Sequence, residues 1–389
     1  MKKKIVFVTE ALWIGGIETA LINLLNHIDY DRFDVTLLVS KAYLDMADQV
    51  NPNCRLVVAD RDTTHSFNKP YRFALLYHLT EKTGNPSKLH RALMWLTPAI
   101  RWIENRLYIG YVRNNMRSER YDTAVIYSDR TAELTVRAIR AGKYLMYYHH
   151  GAMRKEYHDE IGYRRSEKII AVSKGIADKL ADYRPRYSDK ITVINNLIDI
   201  QNVIEKSREK AIVNFSDNDY NIVTCGRISK EKGIDIALDV CVQMIHDGIG
   251  NIHWWIIGGG PMENEIRSRT EMLGITNRFH MLGMQANPYP YIARADLYVQ
   301  PSRFEGHCVT VLEARVLGKP IVATDAAASE QLTDGVDGTL CAPEAQSLYQ
   351  AIKKHLQHPE LSERYRTALA KHSFEEDNAN IIAAIEALL

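Results

Sequence analysis

Short runs of β-branched and aromatic residues alternate with longer amphipathic segments along nearly the whole chain, and the alternation stops once and then restarts. Ile5–Val8, Val35–Val39, Arg55–Ala59, Thr123–Tyr127, Tyr144–Tyr148, Lys168–Val172 and Ile191–Ile194 read as strands. Continuous apolar runs of this length suit a sheet covered on both faces. Helical patterns such as Glu18–His27 and Lys174–Tyr183 lie between them, which predicts parallel β-α-β units. The pattern weakens over residues 197–219, a polar stretch with Asp217-Asn218-Asp219 as a turn signal. It resumes with Ile222–Cys225, Trp254–Ile257, Phe279–Leu282, Leu297–Gln300 and Pro320–Ala323. The expectation is an α/β protein of two doubly wound units, 1–198 and 199–374. A helix over 375–389, with Ile381, Ala384 and Leu388 on one face, is expected to pack back on the first unit. Ligands of such folds bind at the carboxyl ends of the strands, and the crevice between two units is the expected site.

Length supports two units, since 389 residues exceed one ordinary core. A formal net charge of +1 gives no global pull toward nucleic acid, so any basic surface must be local. Five scattered cysteines (Cys54, Cys225, Cys241, Cys308, Cys341) without C-x-x-C spacing suggest neither a disulfide framework nor a zinc site, and fit a reducing cytosol. The opening MKKKIVFVTE breaks at Thr9-Glu10, too early for a signal-peptide core, and reads as a first strand. No stretch has the ~18 apolar residues of a membrane span.

Three segments of the second half carry chemistry. In CGRISKEKGID a strand ends at Cys225-Gly226, Arg227 and Lys232 follow, and a helix starts after Gly233. Cations beside the free N–H groups of a helix start suit a phosphate, although a solvated turn has the same composition. WWIIGGGPMENEI places Gly258, Gly259 and Gly260 after a strand, but Glu263 stands where a dinucleotide fingerprint needs glycine, which argues against a nicotinamide cofactor. The glycines still permit a flat group, such as a base, to approach the backbone. In PSRFEGHCVTVLEARVLGKP, Glu305 falls in a loop and Glu313 in the second turn of a helix over Cys308–Leu317. Carboxylates accept from hydroxyls, and two of them flanking a phosphate-sized gap would fit a nucleotide-sugar. The bland alternative is one acid at a helix start and one on a helix surface.

GRISKEKGID, IIGGGPMENEI, LGMQANPYPYI and PSRFEGHCVTVLEARVLGKPIVAT, in this order, resemble glycosyltransferase family 4, and Glu305 and Glu313 match its E-x7-E pattern. The wording is most similar to bacterial capsular and exopolysaccharide enzymes. The resemblance implies a GT-B fold: two facing Rossmann-like domains with a deep interdomain cleft. It implies a retaining transfer from a nucleoside-diphosphate-sugar, expected to be a UDP-sugar, to a glycan or lipid-linked glycan, with no cofactor and no metal. Residue by residue, it implies Arg227 and Lys232, with Gly226, at the donor diphosphate. It places Glu305 at the transferred sugar, with the backbone of Gly306, His307, Cys308 and Val309 nearby. Glu313 is implied at the ribose, and Gly259, Gly260, Gly283 and Met284 around the base. His307-Cys308 departs from the aromatic or small apolar pair of many relatives.

In the first half, LWIGGIETALINLL places Gly15-Gly16 before a helix with Glu18 in its first turn. The resemblance implies that these glycines face the donor diphosphate and acceptor, and leaves Glu18 open. YLMYYHHGAM ends a strand at His149-His150. His150 matches the family's histidine near the reacting sugar, with His149 the alternative if the register is off by one. Arg227, Lys232, Glu305 and His150 are therefore the catalytic candidates.

The stretch 88–120 is basic, with Lys88, Arg91, Arg101, Arg106, Arg113, Arg117 and Arg120 against Glu104 and Glu119. Leu89, Leu93, Leu96, Ile100, Ile103 and Leu107 form a stripe expected in the core, whereas Met94, Trp95 and Trp102 fall off it. Arginine with off-face tryptophan suits peripheral contact with an anionic membrane, and an ordinary solvated basic helix has the same pattern. The expected location is the cytoplasm, at the inner face of the plasma membrane. D-x-D strings at Asp29/Asp31, Asp60/Asp62 and Asp217/Asp219 would suit a metal-dependent transferase of another fold, which nothing else supports. Two rival functions share the architecture, a UDP-sugar 2-epimerase and a non-catalytic partner of another transferase.

Overall fold

The computed structural model describes residues 2–59, 102–103, 105–150, 153, 160–211, 213, 215–216 and 218–389. Lys88, Arg91, Met94, Trp95, Arg101, Glu104, the apolar stripe up to Ile100 and Asp60/Asp62 lie outside these residues, as do Gly151 and Asp217.

The first sheet is built from β1 (Lys3–Thr9), β2 (Phe33–Val39), β3 (Arg55–Val58), β4 (Tyr121–Ile126), β5 (Ala141–Tyr148), β6 (Lys168–Ala171) and β7 (Ile191–Val193). All pair in parallel, in the order β3-β2-β1-β4-β5-β6-β7. The second sheet uses β8 (Tyr220–Cys225), β9 (Ile252–Ile257), β10 (Phe279–Gly283), β11 (Leu297–Gln300), β12 (Ile321–Thr324) and β13 (Thr339–Cys341), in the order β10-β9-β8-β11-β12-β13. Both orders reverse beside the first strand of the unit, and that reversal opens a crevice at the strands' carboxyl ends. Ile5, Val6, Phe7 and Val8 of β1 are fully buried, as a strand covered on both faces requires.

Two elements differ from expectation. The polar stretch after 197 contains a helix, Ile200–Ser207, whose N-terminus Asp199 caps by accepting from the Asn202 amide at 3.0 Å. Only Val203 is buried in it, so its apolar signal is faint. β13 is three residues long with a threonine first, too short for a period to register.

The C-terminal helix, Phe374–Leu388, lies on the first sheet: Ile385 and Leu389 join that core. Thr123 Oγ1 on β4 donates to the Leu389 carbonyl at 2.9 Å. Asn378 brackets the crossing chain, accepting from the Ile198 amide at 3.1 Å and donating to the Ile198 carbonyl at 2.6 Å. The chain thus passes between the domains near Ile198 and returns through this helix.

The stripe expected in the core continues differently. Ile103 and Leu107 are 51% and 60% exposed, and Tyr108, Ile109, Val112 and Met116 carry the burial instead. The buried face is rotated from the leucine stripe because the helix meets the first sheet through its tyrosine and valine side.

Candidate active site

The loops after β8 and β11 form one wall of the cleft. Lys232 follows β8, and its Nζ donates to both carboxylate oxygens of Glu305 at 2.7 Å. Ser302 Oγ donates to Glu305 Oε1 at 2.7 Å, Gln300 Nε2 donates to Ser302 Oγ at 2.9 Å, and Tyr298 OH donates to Gln300 Oε1 at 2.7 Å. Tyr298, Gln300 and Ser302 are buried. A fully partnered buried chain of this kind holds the carboxylate in one orientation. Burial works against the Lys232 ammonium, but Glu305 and Cys308 outweigh it and its pKa is raised.

A second clamp joins the same loops. Arg303 donates to both oxygens of Asp235 at 2.7 and 2.9 Å and to the Lys230 carbonyl, and Lys230 Nζ reaches Asp235 at 2.6 Å. Burial would raise the Asp235 pKa, yet Arg303 and Lys230 hold it down to about 2. Sequence reading passed over Asp235, Arg303, Ser302 and Gln300. Their signal was polar residues at the mouth of an apolar strand and in the first turn of the following helix.

The glycine run serves the protein's own backbone. A Cβ on Gly258, where φ is +143°, would stand 1.9 Å from the Gly226 carbonyl oxygen, and one on Gly260 would stand 2.4 Å from the Ile228 oxygen. The loops after β8 and β9 therefore touch backbone to backbone, and Arg227 is exposed at their rim. Gly259 faces Met284, whose Cγ lies 3.1 Å from where its Cβ would be. Gly283 turns the chain with φ +69°, leaving Met284 58% exposed.

Glu313 is buried on the helix Val309–Val316 and accepts from Tyr289 OH at 3.1 Å. Burial raises its pKa to about 7 against the lowering effect of that hydrogen bond. Tyr289 was missed by sequence reading; its only signal was an aromatic residue inside the NPYPYI string.

One expectation at the helix start needs correction, the free backbone N–H of Cys308. The Cys308 side chain does not face a ligand: it is buried in the second-domain core, with Sγ 3.3 Å from Thr310 Oγ1. Burial pushes its thiol up to about 12. Its backbone is committed as well, since its amide donates to Gln331 Oε1 at 3.2 Å and its carbonyl accepts from Gln331 Nε2 at 3.0 Å. Gly306 lies against the facing domain, where a Cβ would stand 2.2 Å from the His149 carbonyl oxygen. The His307 side chain is partly buried, its pKa lowered by burial to about 4, and its buried Nδ1 has no partner among the described residues.

The opposite wall is the start of the helix Gly16–His27 after β1. A Cβ on Gly16 would lie 3.9 Å from Val309 Cγ2, so the N-termini of two helices from different domains face each other. Glu18 sits beside Gly15 between them. Its pKa is raised to about 7 by burial, opposed by its own backbone N–H and by Arg227 across the cleft. His150 Nε2 is 3.3 Å from Asp129 Oδ1, and the ring is half-buried. His149 stacks on Tyr147 with centroids 5.4 Å apart, and its buried Nε2 has no partner among the described residues. Burial takes its pKa down to about 3, so its ring is neutral.

Two family models match this chain: "Glycosyltransferase Family 4" over residues 14–202 and "Glycosyl transferases group 1" over residues 219–358. The chain belongs to glycosyltransferase family 4. Among curated relatives, this family 4 chain is 25% identical over 207 residues to the N-acetylgalactosamine-N,N'-diacetylbacillosaminyl-diphospho-undecaprenol 4-alpha-N-acetylgalactosaminyltransferase of Campylobacter jejuni. The match spans 52% of this chain and 54% of that protein, about half the length of each. It is 28% identical over 241 residues to the lipopolysaccharide core biosynthesis mannosyltransferase LpsB of Rhizobium meliloti, spanning 57% of this chain and 66% of that one. Its fold is that of Anabaena Alr3699/HepE, solved with UDP and glucose, at a TM-score of 0.73 and 18% identity over 99% of both chains. WaaG, a glycosyltransferase involved in lipopolysaccharide biosynthesis, superposes at 0.67 with 13% identity, covering 98% of this chain and 99% of that one. The family 4 chain is accordingly a GT-B protein, with its two domains meeting at Gly306 and Gly16.

Proposed function

We propose that this chain is a retaining glycosyltransferase that moves a sugar from a nucleoside-diphosphate-sugar, a UDP-sugar, to a hydroxyl of a glycan or lipid-linked glycan in cell-surface polysaccharide assembly. One observation carries the reading: the Lys232–Glu305 pair lies on the wall where two helix N-termini converge from opposite domains. Lys232, Arg227 and the helix starts at Gly16 and Val309 form a positive site for a diphosphate whose charge grows as the sugar leaves. The reading assigns that stabilisation to protein groups and invokes no metal. Glu305, held by Ser302 and Lys232, accepts from hydroxyls of the transferred sugar, and Glu313 accepts from the ribose diol. The bond from the anomeric carbon to the diphosphate breaks, a bond to the acceptor oxygen forms on the same face, and the acceptor proton passes to the departing phosphate. The reading assigns His150, which follows β5 and is paired with Asp129, to the sugar side.

Peripheral membrane contact belongs to this reading. Trp102, Ile103 and Leu107 are exposed, and the Arg106 guanidinium lies 4.8 Å from the Trp102 ring centroid. Aromatic and basic groups together suit an anionic interface. No helix among the described residues is long and apolar enough to cross a membrane.

The test is incubation with a panel of UDP-sugars, with and without polyprenyl-diphosphate glycan acceptors, followed by UDP release and the anomeric signals of the product. Acceptor-dependent UDP release with a retained anomer is expected. A changed sugar from donor alone would replace this reading with the 2-epimerase, and no UDP binding by calorimetry would replace it with the non-catalytic partner.

A further inference from the structure

At the opposite end of the first sheet from the transfer cleft, a cleft of about 600 Å³ opens beside the starts of β4 and β5. Five arginines line it, Arg113, Arg117, Arg120, Arg137 and Arg140, against one acid, Glu119. That acid is already engaged, accepting from Arg55 at 2.9 Å. Arg137 is paired with Glu133 at 2.9 Å, whereas Arg113, Arg117, Arg120 and Arg140 have no acidic partner among the described residues. The cleft floor is apolar, from Val136, Ala138, Ile139 and Ala141, and Tyr144 OH is spent on the Ile139 carbonyl. Arg165 lies 5.6 Å over the Tyr144 ring and adds another cation beside the cleft.

Arginines in the last turn of a helix can be explained by the helix dipole, and Arg137 is in that position. Arg120 and Arg140 are not: both stand in the connections just before β4 and β5. In a chain of net charge +1, such convergence from two separate stretches, 113–120 and 137–140, is not an average surface. The five guanidinium groups are exposed around one cleft and give it a local positive potential that an anion would lower. Their planar forks match phosphate oxygens better than a single carboxylate.

We infer that this arginine-walled cleft is a second anion site that takes a phosphate-bearing group, either a phospholipid headgroup or a free di- or polyphosphate. The two sources present the same oxygens to the same forks. The site is separated from the transfer cleft by the length of the central strands, roughly 20 Å; its headgroup source rests on the membrane contact proposed for 88–120, and its free-phosphate source does not.

The test uses the full chain with two probes, inorganic pyrophosphate in the presence of saturating UDP, and vesicles of phosphatidylcholine with or without phosphatidylglycerol. A triple variant Arg113→Gln/Arg117→Gln/Arg140→Gln is compared with a charge-matched control, Lys210→Gln/Lys354→Gln/Lys371→Gln, on the exposed surface of the second domain. The arginine triple is expected to weaken binding of at least one probe about tenfold or more, and the control to leave it unchanged. Pyrophosphate binding alone identifies a free phosphate as the source, and binding of phosphatidylglycerol vesicles alone identifies a headgroup. If neither probe binds the natural chain, or if the control loses as much as the arginine triple, the site does not exist. Circular dichroism of both triples checks that they fold, and Arg140→Gln alone, expected to show a smaller loss in the same direction, guards against a folding defect in the triple.

Discussion

Lys232 Nζ lies 2.7 Å from both carboxylate oxygens of Glu305, so the cation of one loop and the acid of the next form a single unit. Two of the three ammonium donors are spent on the carboxylate, and the proposed function assigns the third to a phosphate. Lys232→Ala should therefore have two effects. Turnover should fall by roughly 10²–10³, the range for removing one preorganised donor to developing charge. Stability should fall by about 1–3 kcal/mol, because Glu305 is left buried without its cation. Rates of UDP release and urea unfolding measure the two separately. Loss of stability with normal turnover would reduce the pair to a structural role.

Glu313 should make the protein pH-sensitive in a defined direction. Its pKa is about 7 folded and 4.5 ordinarily, so between those values the folded chain holds a proton that the unfolded chain has lost. Stability from this group is greatest below pH 4.5 and declines as pH rises toward 7, on the order of 3 kcal/mol in all. Glu18 adds a slope of the same sign. Donor binding should run the other way, strengthening as the Glu313 carboxylate ionises. Glu313→Gln should flatten both profiles relative to the natural chain. Calorimetric UDP titrations and unfolding midpoints from pH 5 to 8 would show it, and an unchanged binding profile would remove Glu313 from the nucleotide site.

Gly306→Ala and Gly258→Ala should fail in different ways. The Gly306 Cβ would collide with the His149 carbonyl of the facing domain at 2.2 Å, whereas the Gly258 Cβ would collide inside its own domain with the Gly226 carbonyl at 1.9 Å. Gly306→Ala should leave the unfolding midpoint nearly unchanged, enlarge the radius measured by small-angle scattering, and cut turnover tenfold or more, an effect on the order of 1.4 kcal/mol or above. Gly258→Ala, at φ +143°, should cost about 2–4 kcal/mol of stability. Equal destabilisation by both would show that the Gly306 contact is not a domain contact.

Glu330 reaches from the second domain to the start of the helix Lys174–Tyr183 in the first, accepting from the Lys174 and Gly175 amides, both at 2.6 Å. Ser173 caps the same helix by accepting from Ile176 N at 3.2 Å. Glu330→Ala should remove about 1 kcal/mol of capping and closure energy. It should also speed hydrogen exchange at the Lys174 and Gly175 amides, and unchanged protection there would show that the contact does not persist in solution.

The strands were legible because fully buried parallel strands must be continuous apolar runs, and Leu297–Gln300 appears with the expected bounds. Lys232 was legible as a cation between a strand end and a helix start, Glu313 as an acid inside an apolar helix, and Glu305 as the loop partner of Glu313 in the E-x7-E resemblance. Their relations were not. Nothing local says that Lys232 bonds Glu305, that Cys308 turns inward to meet Thr310, or that Tyr289 lies against Glu313. Those facts depend on side chains from different loops sharing one space.

Sequence alone therefore determined the two α/β units, their parallel sheets and the segments that line the crevice, since hydrophobic period and glycine placement are properties of neighbouring residues. Tertiary structure decided which atoms face one another. It set Gly306 against His149, drew Glu330 to a helix in the other domain, and gathered Arg113, Arg117, Arg120, Arg137 and Arg140 around one cleft. The physical reason is range: strand and helix patterns arise from contacts a few residues apart. Charge pairing and close backbone approach arise between segments tens to hundreds of residues apart, and their geometry exists only once both sheets have formed.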